Sequence, residues 1–238
     1  MGREVEKILK ERNHTITAKI DTDDIEGTAD ALTESTASRA EVAIEFSASH
    51  AVLPNAEKYS RLGLNAVVGT TGWYSSIDEL KKILDKSSIG YLYGSNFSIG
   101  AQLFFKIVAY AARLTEPFPQ YDILGYEIHH KRKKDSPSGT AHSIADIILK
   151  NNSRKKKIIT EKLDRAVKKD ELHFASVRGG EIPGIHTVLL DSYADTIQLT
   201  HSARNRGGFA LGAVLAAEWL QGKSGIYTVN DFIDSILK

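Results

Sequence analysis

Apolar residues along this chain recur at two spacings, and the way the two alternate divides the chain. Val5, Ile8 and Leu9 mark one face of a helix over residues 2–12. Ile16, Ala18 and Ile20 alternate with polar neighbours and predict a strand from Thr15 to Asp21. Val42 to Phe46 reads as a second strand, Ala51 to Leu62 as a helix, and Asn65 to Val68 as a short apolar strand. A helix from Ser76 to Leu84 and a strand from Ile89 to Tyr93 follow. Strands alternating with helices predict a parallel sheet covered on both faces, an α/β Rossmann-like arrangement. Ligands of such sheets bind at the carboxyl ends of the strands. Those exits are Asp21, Phe46-Ser47, Gly69-Thr70-Thr71-Gly72 and Gly94-Ser95-Asn96-Phe97.

The pattern then changes. A helix from Ala101 to Leu114 is followed by a strand from Asp122 to His129. Leu172 to Arg178 and His186 to Thr200 read as long strands joined by turns, with no helix between them. Such a run predicts an antiparallel or mixed sheet, hence a second, α+β domain. Gly207 to Leu220 is a final helix rich in Ala and Leu, and the polar, basic stretch Asn151 to Lys157 reads as an exposed loop.

Composition narrows the functional classes. At 238 residues the chain is long enough for a full core in one or two domains, and 42% hydrophobic with 26% charged residues is ordinary for a globular protein. No apolar run reaches the roughly 18 residues of a membrane span, and no signal segment opens the chain. Cysteine is absent, which excludes disulfide and thiolate chemistry and makes a cytoplasmic location the default. Without cysteine and without a His-Glu-x-x-His spacing, no metal site is expected.

The densest chemistry lies in Tyr126-Glu-Ile-His-His-Lys-Arg-Lys-Lys-Asp-Ser-Pro-Ser-Gly-Thr-Ala141. His129 and His130 can exchange protons near neutral pH, and the cations Lys131 to Lys134 can hold an anion. Ser138, Gly139 and Thr140 precede Ile144, Ile147 and Ile148 at helical spacing, which places the turn at a helix N-terminus, a seat for carboxylate or phosphate. A basic run alone is more often a solvated face. A nucleic-acid patch is disfavoured by a net charge of +1 and by the lack of interleaved aromatics. A solvated face has no need of the Pro-Ser-Gly-Thr turn, so the combination points to a small acidic substrate.

This segment resembles the signature of the 4-hydroxy-tetrahydrodipicolinate reductase family, Glu-x-His-His-x-x-Lys-x-Asp-x-Pro-Ser-Gly-Thr-Ala. Glu127, His129, His130, Lys133, Asp135 and Pro137 to Ala141 all match. The resemblance extends through Val68 to Gly72, Ser95 to Ser98 and His201 to Trp219. It implies a dinucleotide-binding domain of residues 1–97 and 207–238, and a substrate-binding and oligomerisation domain of residues 98–206. It also implies reduction of 4-hydroxy-tetrahydrodipicolinate to tetrahydrodipicolinate in diaminopimelate and lysine biosynthesis, with NADH or NADPH, by a cytoplasmic homotetramer. His129 would act as acid/base and Lys133 as proton donor. His130, Ser138, Gly139 and Thr140 would hold the substrate. Phe46, Gly69, Thr70, Thr71, Ser95, Asn96 and Phe97 match cofactor positions, Gly94-Ser95 being a mild departure from the Ala-Ala or Gly-Ala usual before Asn-Phe.

Asp21, closing the strand predicted from Thr15, could accept from the adenine ribose hydroxyls or simply begin a turn. Thr22, Asp23 and Asp24 follow it, and no Arg, so NADH is favoured over NADPH. Relatives open with a strand and a Gly-x-x-Gly-x-Met-Gly loop, of which Met1-Gly2 resembles only the end. Met1 is therefore expected to be the internal methionine of that loop, with roughly a dozen residues before it, enough for a strand and a turn. The alternative expectation is a truncated homologue with impaired cofactor binding, acting as a non-catalytic oligomerising scaffold.

Overall fold

The structure, a computed structural model, describes residues 1–21 and 32–237. It comprises two compact units, Met1–Ile99 with Arg206–Lys238, and Gly100–Asn205. In chain order the elements of the N-terminal stretch are α1 (Gly2–Glu11), α2 (Glu34–Ala37), β1 (Val42–Glu45), α3 (Val52–Leu62), β2 (Asn65–Val68), α4 (Ile77–Leu84) and β3 (Gly90–Tyr93). Then come α5 (Ile99–Thr115), β4 (Asp122–His129), α6 (Gly139–Asn151), β5 (Lys157–Ile159), β6 (Glu171–Arg178), β7 (Gly184–Asp191) and β8 (Thr196–Ala203). The chain closes with α7 (Gly207–Leu220), β9 (Gly225–Thr228) and α8 (Val229–Ile236).

The first unit is built on a four-stranded sheet in the order β1-β2-β3-β9, every pairing parallel. Its central strands carry apolar side chains on both faces: Ala66, Val67, Val68, Tyr91 and Leu92 are fully buried. Strands of that composition need cover on two sides. Val52, Ala56 and Tyr59 of α3 with Leu80 and Leu84 of α4 cover one. Ala213, Ala216 and Leu220 of α7 with Phe232 and Ile233 of α8 cover the other. Val5, Ile8 and Leu9 of α1 pack on Ala210 and Val214 of α7, and Arg12 and His14 both meet Glu218 of α7, at 2.6 and 2.8 Å.

The strand predicted from Thr15 to Asp21 does not form: only Ile20 makes a bridge, and residues 14–19 carry no regular structure. Alternation equips a segment for a sheet, but a strand exists only through a ladder, and none of the described strands pairs with residues 15–19. Strand β9 and helix α8 were not anticipated either. The first is four residues at a sheet edge, and the second starts at Thr228 with a reciprocal capping box to Asp231.

The second unit holds a five-stranded mixed sheet, β5-β6-β4-β7-β8. β5, β6 and β4 are parallel, and β4, β7 and β8 antiparallel. Strand β4 alternates strictly, with Ile123, Gly125, Glu127 and His129 buried. Ile123 joins Phe104, Val108 and Ala112 of α5 and Ile144, Ala145 and Ile148 of α6 in one core cluster. Leu124, Tyr126 and Ile128 project to the opposite face, half-buried.

The exposed loop expected at Asn151 to Lys157 is a loop over residues 152–156, with Ser153, Lys156 and Lys157 exposed, but it is corrected at its ends and in its buried side chains. Asn151 ends α6 and Lys157 opens β5, while Asn152 and Lys155 are buried. Asn152 Nδ2 donates to the Ala112 carbonyl at 2.9 Å, and Arg154 donates to the carbonyls of Tyr121 and Thr115, each at 2.9 Å. Lys155 donates to the Glu171 carbonyl at 2.6 Å and pairs with Asp122 at 2.5 Å. The basic side chains are thus engaged with backbone carbonyls rather than solvated. No helix among the described residues is long and apolar enough to cross a membrane.

Candidate active site

The chemistry of the second unit converges on Glu127. It stands in β4 between Ser176 of β6 and His186 of β7, its register partners on either side. Its carboxylate is fully buried. Oε1 accepts from Ser138 N at 2.9 Å, Ser176 Oγ at 3.0 Å and Arg178 Nη2 at 2.6 Å. Oε2 accepts from Ser138 Oγ and faces His186 Nε2 at 3.2 Å and His129 Nδ1 at 3.4 Å. Burial alone would push this carboxyl up, but hydrogen bonds from His186, Ser138 and Arg178 outweigh it and hold Glu127 well below the usual carboxylate range.

His129 is buried, and its ring meets that of His186 edge to face with centroids 5.1 Å apart. A Cβ added to Gly184 would stand 2.9 Å from His129 Nε2, so only glycine leaves room for the imidazole there. Burial pushes His129 down to about 4, helped by the positive neighbours Lys133 and Arg178, with Glu127 pulling the other way. The unfolded chain therefore takes up this proton first, from the ordinary 6.5 downward. Stability from His129 is complete above that range and is lost as pH falls toward about 4, with Glu127 adding to the loss below the carboxylate range. We expect a loss on the order of 2–3 kcal/mol on acidification, seen as a falling Tm, and a shallower fall in His129→Asn. Parallel Tm–pH profiles for the two proteins would contradict this.

Glu127, His129 and His186 lie close enough to be considered as metal ligands. The donors around Glu127 argue for another use. Both carboxylate oxygens are already engaged, and the Arg178 guanidinium sits where a cation would add like charge.

Around this hub stand the other residues expected from the sequence. Ser138 is the N-cap of α6, its Oγ accepting from Ala141 N at 3.1 Å, so Gly139 and Thr140 form the first turn of the helix. Lys133 sits in the loop after β4, with Nζ 2.9 Å from the Asp135 carboxylate. The Lys133 hydrogen bond holds that carboxyl below its usual range. His130 is half-buried, its N–H donates to the Ile182 carbonyl at 2.8 Å, and its Nδ1 is sealed from solvent without a hydrogen-bond partner. Glu127 was visible in the motif without a role, and Ser176, Arg178 and His186 were missed. They come from separate strands, and only cross-strand register brings them to Glu127.

In the first unit, a cavity of about 250 Å³ is lined by Phe46, Gly69, Ser95 and Phe97 together with Met1, Arg206 and Phe209. Four of the expected cofactor residues thus share one cavity. The rings of Phe46 and Phe97 meet edge to face at 6.4 Å. Arg206 caps α7 and Met1 caps α1, so two helix N-termini border the cavity. Flat apolar rings suit an aromatic base, and a guanidinium at a helix N-terminus suits a phosphate. Met1, expected at the end of the glycine-rich loop, lines the cavity too, whereas Arg206 and Phe209 were not anticipated there.

The remaining expected residues lie outside the cavity lining. Thr70 is buried, and its Oγ1 accepts from Ser47 N at 2.8 Å while its carbonyl accepts from Trp73 Nε1 at 2.8 Å. Asn96 is buried and accepts from Ser98 N at 2.9 Å. Thr71 and Asp21 are exposed, and Thr22, Asp23 and Asp24 lie outside the described residues.

Comparison with known proteins follows the same division. A family profile described as dihydrodipicolinate reductase, N-terminus, matches residues 1–97, and one described as dihydrodipicolinate reductase, C-terminus, matches residues 100–233. The chain is 38% identical to a 4-hydroxy-tetrahydrodipicolinate reductase of Christiangramia forsetii over 238 residues, covering 100% of this chain and 95% of that one. It is 38% identical to the enzyme of the same name from Archaeoglobus fulgidus over 202 residues, 82% of this chain and 76% of that one. A dipicolinate-bound dihydrodipicolinate reductase from Paenisporosarcina sp. TG-14 shares the fold, with a TM-score of 0.75 at 22% identity over 95% of this chain and 92% of that one.

Proposed function

Because the chain belongs to the dihydrodipicolinate reductase family of oxidoreductases, we propose that it reduces 4-hydroxy-tetrahydrodipicolinate to tetrahydrodipicolinate in the diaminopimelate route to lysine. In the net reaction one water leaves, and one hydride and one proton arrive. A nicotinamide nucleotide held in the first unit would supply the hydride. The observation that carries the reading is the assembly of His129, Lys133 and the α6 N-terminus around the buried Glu127 and its partner Arg178. A non-catalytic scaffold would have no physical need of it.

The roles follow from chemistry. The first-turn N–H groups of α6 and the Thr140 hydroxyl receive one substrate carboxylate. His130, half-buried just after β4, offers its ring to the substrate. His129 is neutral near neutral pH, and the negative charge of a bound dicarboxylate draws a proton onto it. Lys133 delivers the proton that quenches the charge left by hydride addition. In the first unit, Phe46, Gly69, Ser95 and Phe97 enclose the nucleotide's ring end, Arg206 meets a phosphate, and Thr70 and Asn96 brace the loops that carry them. Calorimetry with pyridine-2,6-dicarboxylate tests the substrate half: saturable binding supports the reading, and none at millimolar ligand refutes it.

Asp21, exposed and followed by Thr22, Asp23 and Asp24, favours NADH by repelling a 2′-phosphate. Competing titrations should therefore show tighter NADH than NADPH binding, and the reverse order would overturn the preference. The half-buried face of the second sheet, with Leu124, Tyr126, Ile128 and the 50%-exposed Val177, supports a homotetramer joined through it. Sedimentation velocity showing only monomer would refute that assembly. A cytoplasmic site of action completes the proposal, suited to a cysteine-free biosynthetic enzyme.

A further inference from the structure

Glu127 has no place among the proton donors or substrate ligands, yet it is a fully buried carboxylate at the centre of the second unit. Burying a charge is costly unless it is paired and hydrogen-bonded, so a carboxylate that merely filled space would be a poor solution. We propose that Glu127 is the positioning residue of the substrate half, holding the α6 terminus, the Lys133 loop and the His129 ring in one arrangement. The inference rests on the substrate reading given above.

Three chains of contact carry it. The first runs through Ser138, whose N–H and Oγ both donate to Glu127 while its Oγ accepts from Ala141 N at 3.1 Å. The N-cap is thereby locked from both sides, which aims the free N–H groups of the first turn. The second runs through Arg178. Its Nη2 donates to Glu127 at 2.6 Å and to the Asp135 carbonyl at 2.7 Å, and the Asp135 carboxylate holds Lys133 Nζ at 2.9 Å. One guanidinium thus ties the buried carboxylate to the loop that presents the lysine. The third is electrostatic: Glu127 Oε2 stands 3.4 Å from His129 Nδ1, which makes no hydrogen bond, and 3.2 Å from His186 Nε2. Arg178 also cancels the charge of Glu127, so the anion seat is not opposed by an unpaired negative charge nearby.

The test is calorimetry with pyridine-2,6-dicarboxylate, as a function of pH, on wild type and Glu127→Gln. Glutamine keeps the shape and removes the charge. Affinity should fall at least about tenfold, as expected when charge-assisted hydrogen bonds that orient ligand groups are removed. The pH at which binding changes with His129 protonation should also move downward. The charged and titratable groups facing His129 are Glu127 of its own strand, His186 of β7, Arg178 of β6 and Lys133 of the following loop, and Glu127 alone favours the imidazolium. A residue needed only for folding would not move that limb.

Because Glu127→Gln leaves the part-buried Arg178 without its charged partner, the double variant Glu127→Gln/Arg178→Gln, which removes both charges together, is measured alongside it. A folded single or double variant with weakened binding and a displaced pH limb supports the proposal. A folded variant with wild-type affinity and an unmoved limb overturns it, while leaving the substrate reading intact. Wild type that fails to bind overturns the substrate reading and the proposal with it.

Discussion

Lys133→Ala should lower turnover by roughly 10² to 10⁴-fold, the range that general acid catalysis contributes, and leave cofactor affinity nearly unchanged. The asymmetry follows from where the residue sits. Lys133 belongs to the second unit, in the loop after β4, and its ammonium is held by Asp135 at 2.9 Å. The cavity that brings together the expected cofactor residues is lined entirely from the first unit. Loss of the ammonium removes a proton source and a positive charge from the substrate side alone. Dicarboxylate affinity should weaken modestly through the lost charge. Steady-state kcat and NADH titration of the same preparation check the prediction. Retention of most of kcat would show that Lys133 is not the proton donor.

Gly212→Ala should destabilise the first unit by about 3 kcal/mol, the upper end of the cost of overpacking a core. A Cβ at this position would stand 1.7 Å from the Phe97 carbonyl oxygen, an impossible approach. The atom struck is backbone, so no rotamer change relieves it, and α7 or the Phe97 segment must shift. The surrounding Ala210, Ala213 and Ala216 are fully buried, which shows how closely α7 is seated. Phe97 also lines the nucleotide cavity, so the shift should weaken NADH binding together with stability, unlike Lys133→Ala. Denaturant unfolding followed beside NADH titration would reveal both effects. Wild-type stability in this variant would mean that α7 is not packed as described.

The elements that were legible in the sequence are those whose signal is local. Helix α7 was found at its observed bounds because a run of Ala and Leu ending at Leu220 needs no partner to be recognised. Strand β4 was likewise found at Asp122–His129, because its alternation lasts eight residues. Ser138 was expected at a helix N-terminus from the apolar spacing that follows it, and it is the N-cap of α6. What escaped depends on distant partners. Residues 15–19 alternate as a strand should, but a ladder decides strand formation and no described strand supplies one. Lys155 looked like a solvated cation and is buried because Asp122 and the Glu171 carbonyl wait for it across the fold. Arg178 and His186 reach Glu127 only through the register of β4 with β6 and β7, which no spacing along the chain encodes.

The most direct measurement is NADH consumption when the chain is added to 4-hydroxy-tetrahydrodipicolinate freshly generated by the preceding synthase reaction. The account predicts oxidation of NADH that requires the synthase product, saturates with it, and is suppressed both by pyridine-2,6-dicarboxylate and by Lys133→Ala. NADH oxidation that proceeds without the synthase product, or none at all from a chain that binds both NADH and the dicarboxylate, would contradict it.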